Sequence, residues 1–334
     1  MNAYAKPEGA RPLISLVVPV YNEEEAIPIF IGAMRPVLDS VDENWEIIFV
    51  NDGSRDTTID VLRAASVADG RIKVVDFSRN FGKEVALTAG IDHASGAAVV
   101  PIDVDLQDPP ELIPHMVEKW REGYEVVLAA RSDRSSDSWA KRVSAGMFYK
   151  VMNRMSSVPL PSNVGDFRLM DRCVVDVLRQ YPERQRFMKG LFASLGFRQA
   201  TVEYVRPTRS AGETKFRPVR LWTLALEGIV SFSTAPLKIW TYIGVACASF
   251  AVFYMAWIIM KTLVMGIDMP GYASLMSVIL FMNGLILTGM GVIAEYIARI
   301  FNEVKGRPLY IVRERIGSFD DDMTAPGHTA GRVL

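Results

Sequence analysis

Residues 103–111 read Asp-Val-Asp-Leu-Gln-Asp-Pro-Pro-Glu and follow directly on the apolar run Ala97–Ile102. Two carboxylates spaced i, i+2 at the end of such a run sit at the carboxyl end of a strand, the edge where an open α/β sheet binds ligands. Asp105 and Gln107 can both offer oxygen to Mg2+ or Mn2+, and Asp103 can reach a ribose or the metal. A hard divalent cation with few protein ligands commonly bridges protein to diphosphate. Asp108, ahead of two prolines, reads as the N-cap of a helix that the prolines open.

Other polar clusters accompany this one. Asp52 in Asn51-Asp52-Gly53-Ser54 is placed to accept hydrogen bonds from a nucleobase or ribose, although Asp-Gly-Ser also suits an Asx turn. Arg131, Arg134 and Arg142 follow an apolar run and offer cations for diphosphate or a leaving phosphate, or simply a solvated basic face. In Gly165-Asp166-Phe167-Arg168-Leu169 the carboxylate either positions an acceptor or metal, or pairs with Arg168. Arg209-Ser-Ala-Gly-Glu-Thr-Lys215-Phe216 fits a loop closing over a phosphate, with Arg209 and Lys215 as clamps, or a basic patch facing lipid.

These residues must be carried by regular elements. Apolar runs recur at Leu13–Val20, Trp45–Val50, Ile72–Phe77, Ala97–Ile102 and Val126–Ala130. Between them Glu24–Leu38, Thr57–Ala68, Lys83–Ala94 and Glu111–Arg121 are long enough for crossover helices. Strands alternating with helices predict a mostly parallel, doubly wound α/β sheet. Tyr21-Asn22-Glu23, Asn51–Ser54, Ser78-Arg79-Asn80, the Asp103 cluster and Arg131 each follow a strand, so five polar strand ends share one edge and one site. No Gly-x-Gly-x-x-Gly follows the first strand and no P-loop is present, which argues against a dinucleotide oxidoreductase or a P-loop enzyme. His93, His115 and His328 form no nucleophile–base set and read as surface or structural.

The net charge of −1 over 334 residues leaves no global basic field for nucleic acid. Cys173 and Cys247 form neither a metal spacing nor a disulfide framework and read as buried small apolar residues. Met1–Pro12 lacks the apolar core of a signal peptide. Beyond Leu237 the composition changes. Ile239–Met260 and Gly271–Ala294 are free of charge, and at about 1.5 Å per residue each spans the roughly 30 Å core of a bilayer. Trp240, Tyr242, Trp257 and Tyr272 lie near their ends, where interfacial aromatics belong. Arg206, Arg209, Lys215, Arg217, Arg220 and Lys238 precede the pair against Glu213 and Glu227; Arg299, Lys305, Arg307, Arg313 and Arg315 follow it against Glu295, Glu303 and Glu314. The connection offers only Lys261 and Asp268. The positive-inside bias places both flanks, and the body before them, in the cytoplasm. Leu221–Phe232 reads as an interfacial helix.

With these residues assembled, the chain resembles family-2 glycosyltransferases of GT-A fold, of the polyprenyl-phosphate type and most of all bactoprenol (undecaprenyl-phosphate) glucosyltransferases. The matching residues are Val18–Glu24, Asn51–Ser54, Ser78–Glu84, Asp103–Pro109, Gly165–Met170, Glu227–Ile229 and Gly291–Ile297. The resemblance implies a UDP-sugar donor, with Pro19, Tyr21, Glu23, Asp52, Lys83 and Asp103 in its site and Asp105 and Gln107 on Mg2+ or Mn2+. It implies that Asp166 presents the acceptor phosphate and that Arg131, Arg209 and Lys215 neutralise phosphate charge. Glucose is the implied sugar, with GDP-mannose or a UDP-amino-sugar as the alternative donor. A homo-oligomer, a tetramer in particular, and a bacterial inner-membrane location with both termini cytoplasmic are implied as well. One departure is Glu213 beside Thr214-Lys215, where the family often has Ser before Lys.

The expected organisation is a flexible N-terminus (1–12), a cytoplasmic GT-A domain (13–215), an interfacial segment (216–236), two transmembrane helices (237–298), a juxtamembrane segment (299–317) and a tail (318–334). A processive polysaccharide synthase would need more spans and a Gln-x-x-Arg-Trp segment. A non-catalytic tethered nucleotide-binding module is opposed by the joint presence of Asp103, Asp105, Gln107, Asp166 and Lys215.

Overall fold

The computed structural model describes residues 13–41, 44–131, 164–181, 183, 191–192, 195–204, 235–265 and 271–319. The chain divides into two units, one formed by 1–153, 158–216 and 307–334, the other by 154–157 and 217–306.

The first unit is built on an eight-stranded sheet. Its strands are β1 (Leu13–Val20), β2 (Asn44–Asn51), β3 (Ile72–Phe77), β4 (Ala98–Pro101), β5 (Val126–Arg131), β6 (Val164–Asp171), β7 (Gln199–Tyr204) and β8 (Val312–Ile316), in the order β7-β5-β6-β4-β1-β2-β3-β8. The central pairs β4–β1, β1–β2 and β2–β3 are parallel, as is β5–β7. Strand β6 lies antiparallel between β4 and β5, and β8 runs antiparallel to β3. The five runs read as strands all form strands, and their ends fall on one edge.

Alternation along the strands sorts the core into two layers. Leu16, Val18, Ile47 and Phe49 face one side with α1 (Ala26–Ser40) and α4 (Leu112–Arg121), through Phe30, Met34, Met116 and Trp120. Val17, Ile48 and Val50 face the other with α3 (Lys83–His93) and α5 (Arg172–Arg179), through Ala86, Leu87, Val174 and Leu178. Helix α2 (Thr58–Ala68) buries Leu62 in the first layer. The sheet is therefore covered on both faces, which is why β1 and β2 read as continuous apolar runs rather than alternating ones.

Three elements depart from the sequence reading. Helix α4 has Glu111 at its N-cap with no side-chain cap. Asp108 is not that cap; its Oδ1 instead accepts the Tyr204 hydroxyl at 2.6 Å. The two prolines do open the first turn, since Leu112 and Ile113 donate to the carbonyls of Pro109 and Pro110. The segment taken as purely juxtamembrane contributes β8 to the sheet. Cys173 and Cys247 are free but half-buried rather than buried; Cys173 lies in the first turn of α5, its amide donating to the cap Asp171.

The second unit holds α6 (Ala235–Met265) and α7 (Tyr272–Val304), both long and apolar enough to cross a membrane. Span Ile239–Lys261 has mean hydropathy 2.1 and span Phe281–Val304 has 1.5. Phe250, Phe253, Trp257, Phe281 and Leu287 are exposed along them, as lipid-facing side chains are. Helix α7 continues past Ala294, where the charge-free run ends, and carries the Glu295–Arg299 pair on its last turns. A Cβ on Gly289 would stand 1.6 Å from Trp240 Nε1, so the indole lies directly on the glycine.

Helix α3 approaches the sheet through Gly90, where a Cβ would come within 2.1 Å of Val17 Cγ1 and 3.2 Å of Val50 Cγ2. Gly90→Val is expected to destabilise the first unit by about 1–3 kcal/mol through overpacking. An unchanged melting temperature in the full-length variant would contradict this packing.

Candidate active site

The four central strands end side by side, and the turns after them build one pocket. Its cavity of about 370 Å3 is lined by Pro19, Tyr21, Glu23, Asp52, Lys83, Asp103 and Asp105, seven of the residues singled out from sequence. Asn80 and Gly82 also line it, from within the Ser78–Glu84 stretch that carried the resemblance.

Asp52 is placed by β2 and almost fully buried. Its Oδ1 accepts the amide of Phe81 at 2.6 Å and its Oδ2 that of Gly82 at 2.9 Å. Burial raises its pKa, and these two bonds work against the rise. The carboxylate thus fixes the turn before α3 as well as lining the pocket. Gly53, at φ 65°, is required beside it, since a Cβ there would stand 2.4 Å from the Arg79 carbonyl carbon.

Lys83 opens α3 and lies between two carboxylates. Its Nζ is 2.6 Å from Asp103 Oδ1 and 3.7 Å from Asp166 Oδ2. Burial pushes the Asp103 carboxyl up against the opposing pull of Lys83, and Asp166 and Asp105 add to the rise. For Lys83 burial acts downward, but Asp103 and Asp166 prevail and raise it. Glu23 is raised by burial first and then by the negative charge of Asp105, Asp56 and Asp103. The pocket floor is therefore a concentration of negative charge with one ammonium in it, an environment that favours a further cation.

Asp105 is exposed at the rim. Its Oδ1 accepts the Gln107 amide at 3.2 Å, across Leu106 at a positive φ of 52°. Gln107 flanks the pocket without lining it. Among the described residues no three His, Cys, Asp or Glu side chains converge to cage a metal. The oxygen donors Asp103 and Asp105 still suit Mg2+ or Mn2+, because such ions are commonly held by one or two carboxylates together with substrate phosphates.

Strand β6 delivers Asp166 and Arg168 to the same face, but they form no ion pair. Asp166 turns towards Lys83, and its Oδ1 is buried without a hydrogen-bond partner. Arg168 donates to the Gly165 carbonyl at 2.7 Å and lies 4.0 Å over the Phe192 ring, its pKa pushed down to about 10 by burial. The Asp166–Arg168 ion pair read as the structural alternative is therefore not formed: Asp166 lies near Lys83, and Arg168 is held by backbone carbonyls. Arg131 ends β5 outside the pocket lining and donates to the Tyr204 hydroxyl at 3.3 Å, which in turn donates to Asp108. Tyr204 carried no signal in the sequence. His93 is half-buried against Tyr310 and Phe319, and His115 is exposed beside Glu118. Arg134, Arg142, Arg209, Glu213, Lys215, His328 and Leu221–Phe232 lie outside the described residues.

Residues 15–179 match the model of glycosyl transferase family 2, and residues 235–300 match the GtrB C-terminal hairpin. The SfII prophage-derived bactoprenol glucosyl transferase of Shigella flexneri is 54% identical over 301 residues, 90% of this chain and 97% of that protein. The chain belongs to glycosyl transferase family 2. Within it the chain is also 51% identical to an uncharacterised glycosyltransferase of Synechocystis sp. over 304 residues, 91% of this chain and 96% of the other. A glucosyl-3-phosphoglycerate synthase of Mycobacterium tuberculosis, solved with Mn2+, uridine-diphosphate-glucose and phosphoglyceric acid, matches 66% of this chain and 78% of its own at 24% identity and TM-score 0.42, too distant to add to the assignment. This is a family-2 glycosyltransferase with a GT-A-type sheet and a C-terminal hairpin of two apolar helices.

Asp52→Ala is expected to leave the Phe81 and Gly82 amides without acceptors and to cost about 1–3 kcal/mol. Asp52→Asn keeps one acceptor and should fall between. Amide exchange at Phe81 and Gly82 checks this, and protection equal to wild type in Asp52→Ala would refute the clamp.

Proposed function

We propose that the enzyme transfers glucose from UDP-glucose to the phosphate of a polyprenyl phosphate, undecaprenyl phosphate in bacteria, at the cytoplasmic membrane face and with inversion. The observation that carries the reading is that turns after β1, β2, β3 and β4 bring Glu23, Asp52, Lys83, Asp103 and Asp105 together in one cavity. The likeness to the bactoprenol glucosyl transferase of Shigella flexneri supports the choice of glucose and of a polyprenyl acceptor. The two apolar helices supply the means of staying where such a lipid resides.

The chemistry asks little of a general base. A phosphate monoester has a second pKa near about 6, so the acceptor is already anionic at neutral pH. Its oxygen attacks the anomeric carbon of glucose from the face opposite UDP, the bond from that carbon to the diphosphate oxygen breaks, and UDP leaves with the electron pair. The burden is to bring two anions together and to stabilise the leaving diphosphate. Pro19, Tyr21, Glu23 and Asp52 hold base and ribose. Lys83 offers its ammonium to donor phosphate while balancing Asp103 and Asp166. Asp105 and Gln107, with Asp103 between ribose and metal, would hold Mg2+ or Mn2+. Such an ion supplies charge neutralisation at the leaving diphosphate. Asp166 presents the acceptor, and Arg131, Arg209 and Lys215 neutralise phosphate charge.

Full-length protein given undecaprenyl phosphate and a panel of UDP- and GDP-sugars is expected to form a lipid product heavier by one hexose from UDP-glucose, and to lose activity with EDTA. Asp105→Ala should lower the rate by about a hundredfold or more. No product from any donor would end the enzyme reading, and a near-normal Asp105→Ala would end the metal assignment. A reporter fused after Leu334 should be active in the cytoplasm; signal on the opposite side would reverse the topology.

A further inference from the structure

Strand β8 is laid down after the second apolar helix, yet it reaches the start of the turn after β3, one of those that build the pocket. Ser78 is the first residue beyond β3. Its amide donates to the Ile311 carbonyl at 3.0 Å, and its carbonyl accepts Arg313 Nη2 at 2.8 Å. Both backbone polar groups of Ser78 therefore end on the C-terminal strap, at the start of the turn that supplies the Phe81 and Gly82 amides and Lys83.

The other arm of Arg313 reaches further. Its Nη1 lies 3.6 Å from Asp76 Oδ2 on β3. Asp76 Oδ1 accepts Asn51 Nδ2 at 2.7 Å on β2. Asn51 Oδ1 accepts the Ser54 hydroxyl, and the Ser54 oxygen accepts the amide of Asn22 at 2.9 Å beyond β1. Asn22, at φ 54°, stands between Tyr21 and Glu23, both pocket residues. One guanidinium is thus linked through polar contacts to the ends of three successive strands. Tyr310 secures the same strap, stacked on Phe77 at 5.2 Å and donating to Asp92 on α3 at 3.1 Å.

We propose that Arg313, carried on the strap that follows the membrane hairpin, is a positioning residue for the donor pocket: it holds the β3–α3 turn and, through Asp76 and Asn51, the β1 turn in the shape that receives a nucleoside diphosphate sugar. The inference rests on the reading of this pocket as the donor site. A plain edge cover for β3 would need only the backbone pairing of β8 and a charged, short strand. Arg313 goes beyond that by reaching a carbonyl and a buried carboxylate on the pocket side. The catalytic sheet is then incomplete until the chain has passed through both apolar helices and returned.

The test uses the full-length protein with UDP-glucose and undecaprenyl phosphate, and compares Arg313→Ala, Arg313→Lys and Arg315→Ala. Arg313→Ala is expected to raise KM for UDP-glucose by about fivefold to tenfold, the scale of one ordinary net hydrogen bond, with kcat and the lipid KM within about twofold. Amide exchange at Phe81 and Gly82 should speed up while Tm stays within about 2 °C. Arg313→Lys should recover part of the loss, because an ammonium lacks the two-armed fork. Arg315→Ala should leave the UDP-glucose KM unchanged. An unchanged donor KM and unchanged exchange in Arg313→Ala overturns the proposal. So does a fall in Tm with exchange rising evenly across β3 and β8, which is what a purely structural strap gives. If wild type uses no sugar donor, the donor reading falls; faster or unchanged exchange at Phe81 and Gly82 in Arg313→Ala then upholds or overturns the hold on the turn by itself.

Discussion

Two backbone amides, those of Phe81 and Gly82, end on one buried carboxylate, Asp52. The rest of the site depends on that contact. It ties the end of β2 to the turn after β3, and so decides where α3 begins. Lys83 is the first residue of α3, and its position sets the distance to Asp103 and Asp166. Gly53 and Gly90 serve the same arrangement from either side, one letting the turn approach β2 and the other letting α3 settle on β1. A buried carboxylate costs free energy unless its oxygens are satisfied, and here the satisfaction and the positioning are the same two bonds.

Negative charge gathers around this frame. Glu23, the Asp103–Asp105 pair and Asp166 come from three separate stretches, and among the described residues Lys83 is the ammonium that lies with them. Burial first, and then their mutual repulsion, raises the carboxyls of Glu23 and Asp103. That repulsion makes the site receptive to cations, and a cation is what an anionic diphosphate needs in order to rest on an acidic floor. The same charge would repel a free diphosphate, so under the proposed function the donor would enter together with a cation.

The two units answer to different solvents. In the catalytic body the large apolar side chains are packed into two dry layers around the sheet. In the hairpin helices Phe250, Phe253, Trp257 and Leu287 are left exposed, which suits hydrocarbon and not water. Strand β8 then returns the chain to the first unit, so sequence order and folding unit do not coincide.

The sequence by itself determined β1 to β5, their crossover helices and the two apolar helices, because buried parallel strands and lipid-facing helices are written as uninterrupted apolar runs. It also marked seven of the pocket residues, since polar groups directly after such runs are forced onto one edge. It did not reveal β6, β7 and β8. Val164–Leu169 reads as a buried segment marked by its Asp–Arg pair, and its glycine weakens the strand signal; Gln199–Tyr204 and Val312–Ile316 are short edge strands of mixed polarity. Only tertiary structure decided that Asp108 meets Tyr204 rather than capping α4, that Asp166 faces Lys83 rather than Arg168, and that Arg313 reaches Ser78. Each of those contacts joins residues brought together by strand pairing, whose partners local sequence does not specify. Propensity and periodicity act over a few residues, while hydrogen bonds between distant strand ends exist only once the sheet has closed.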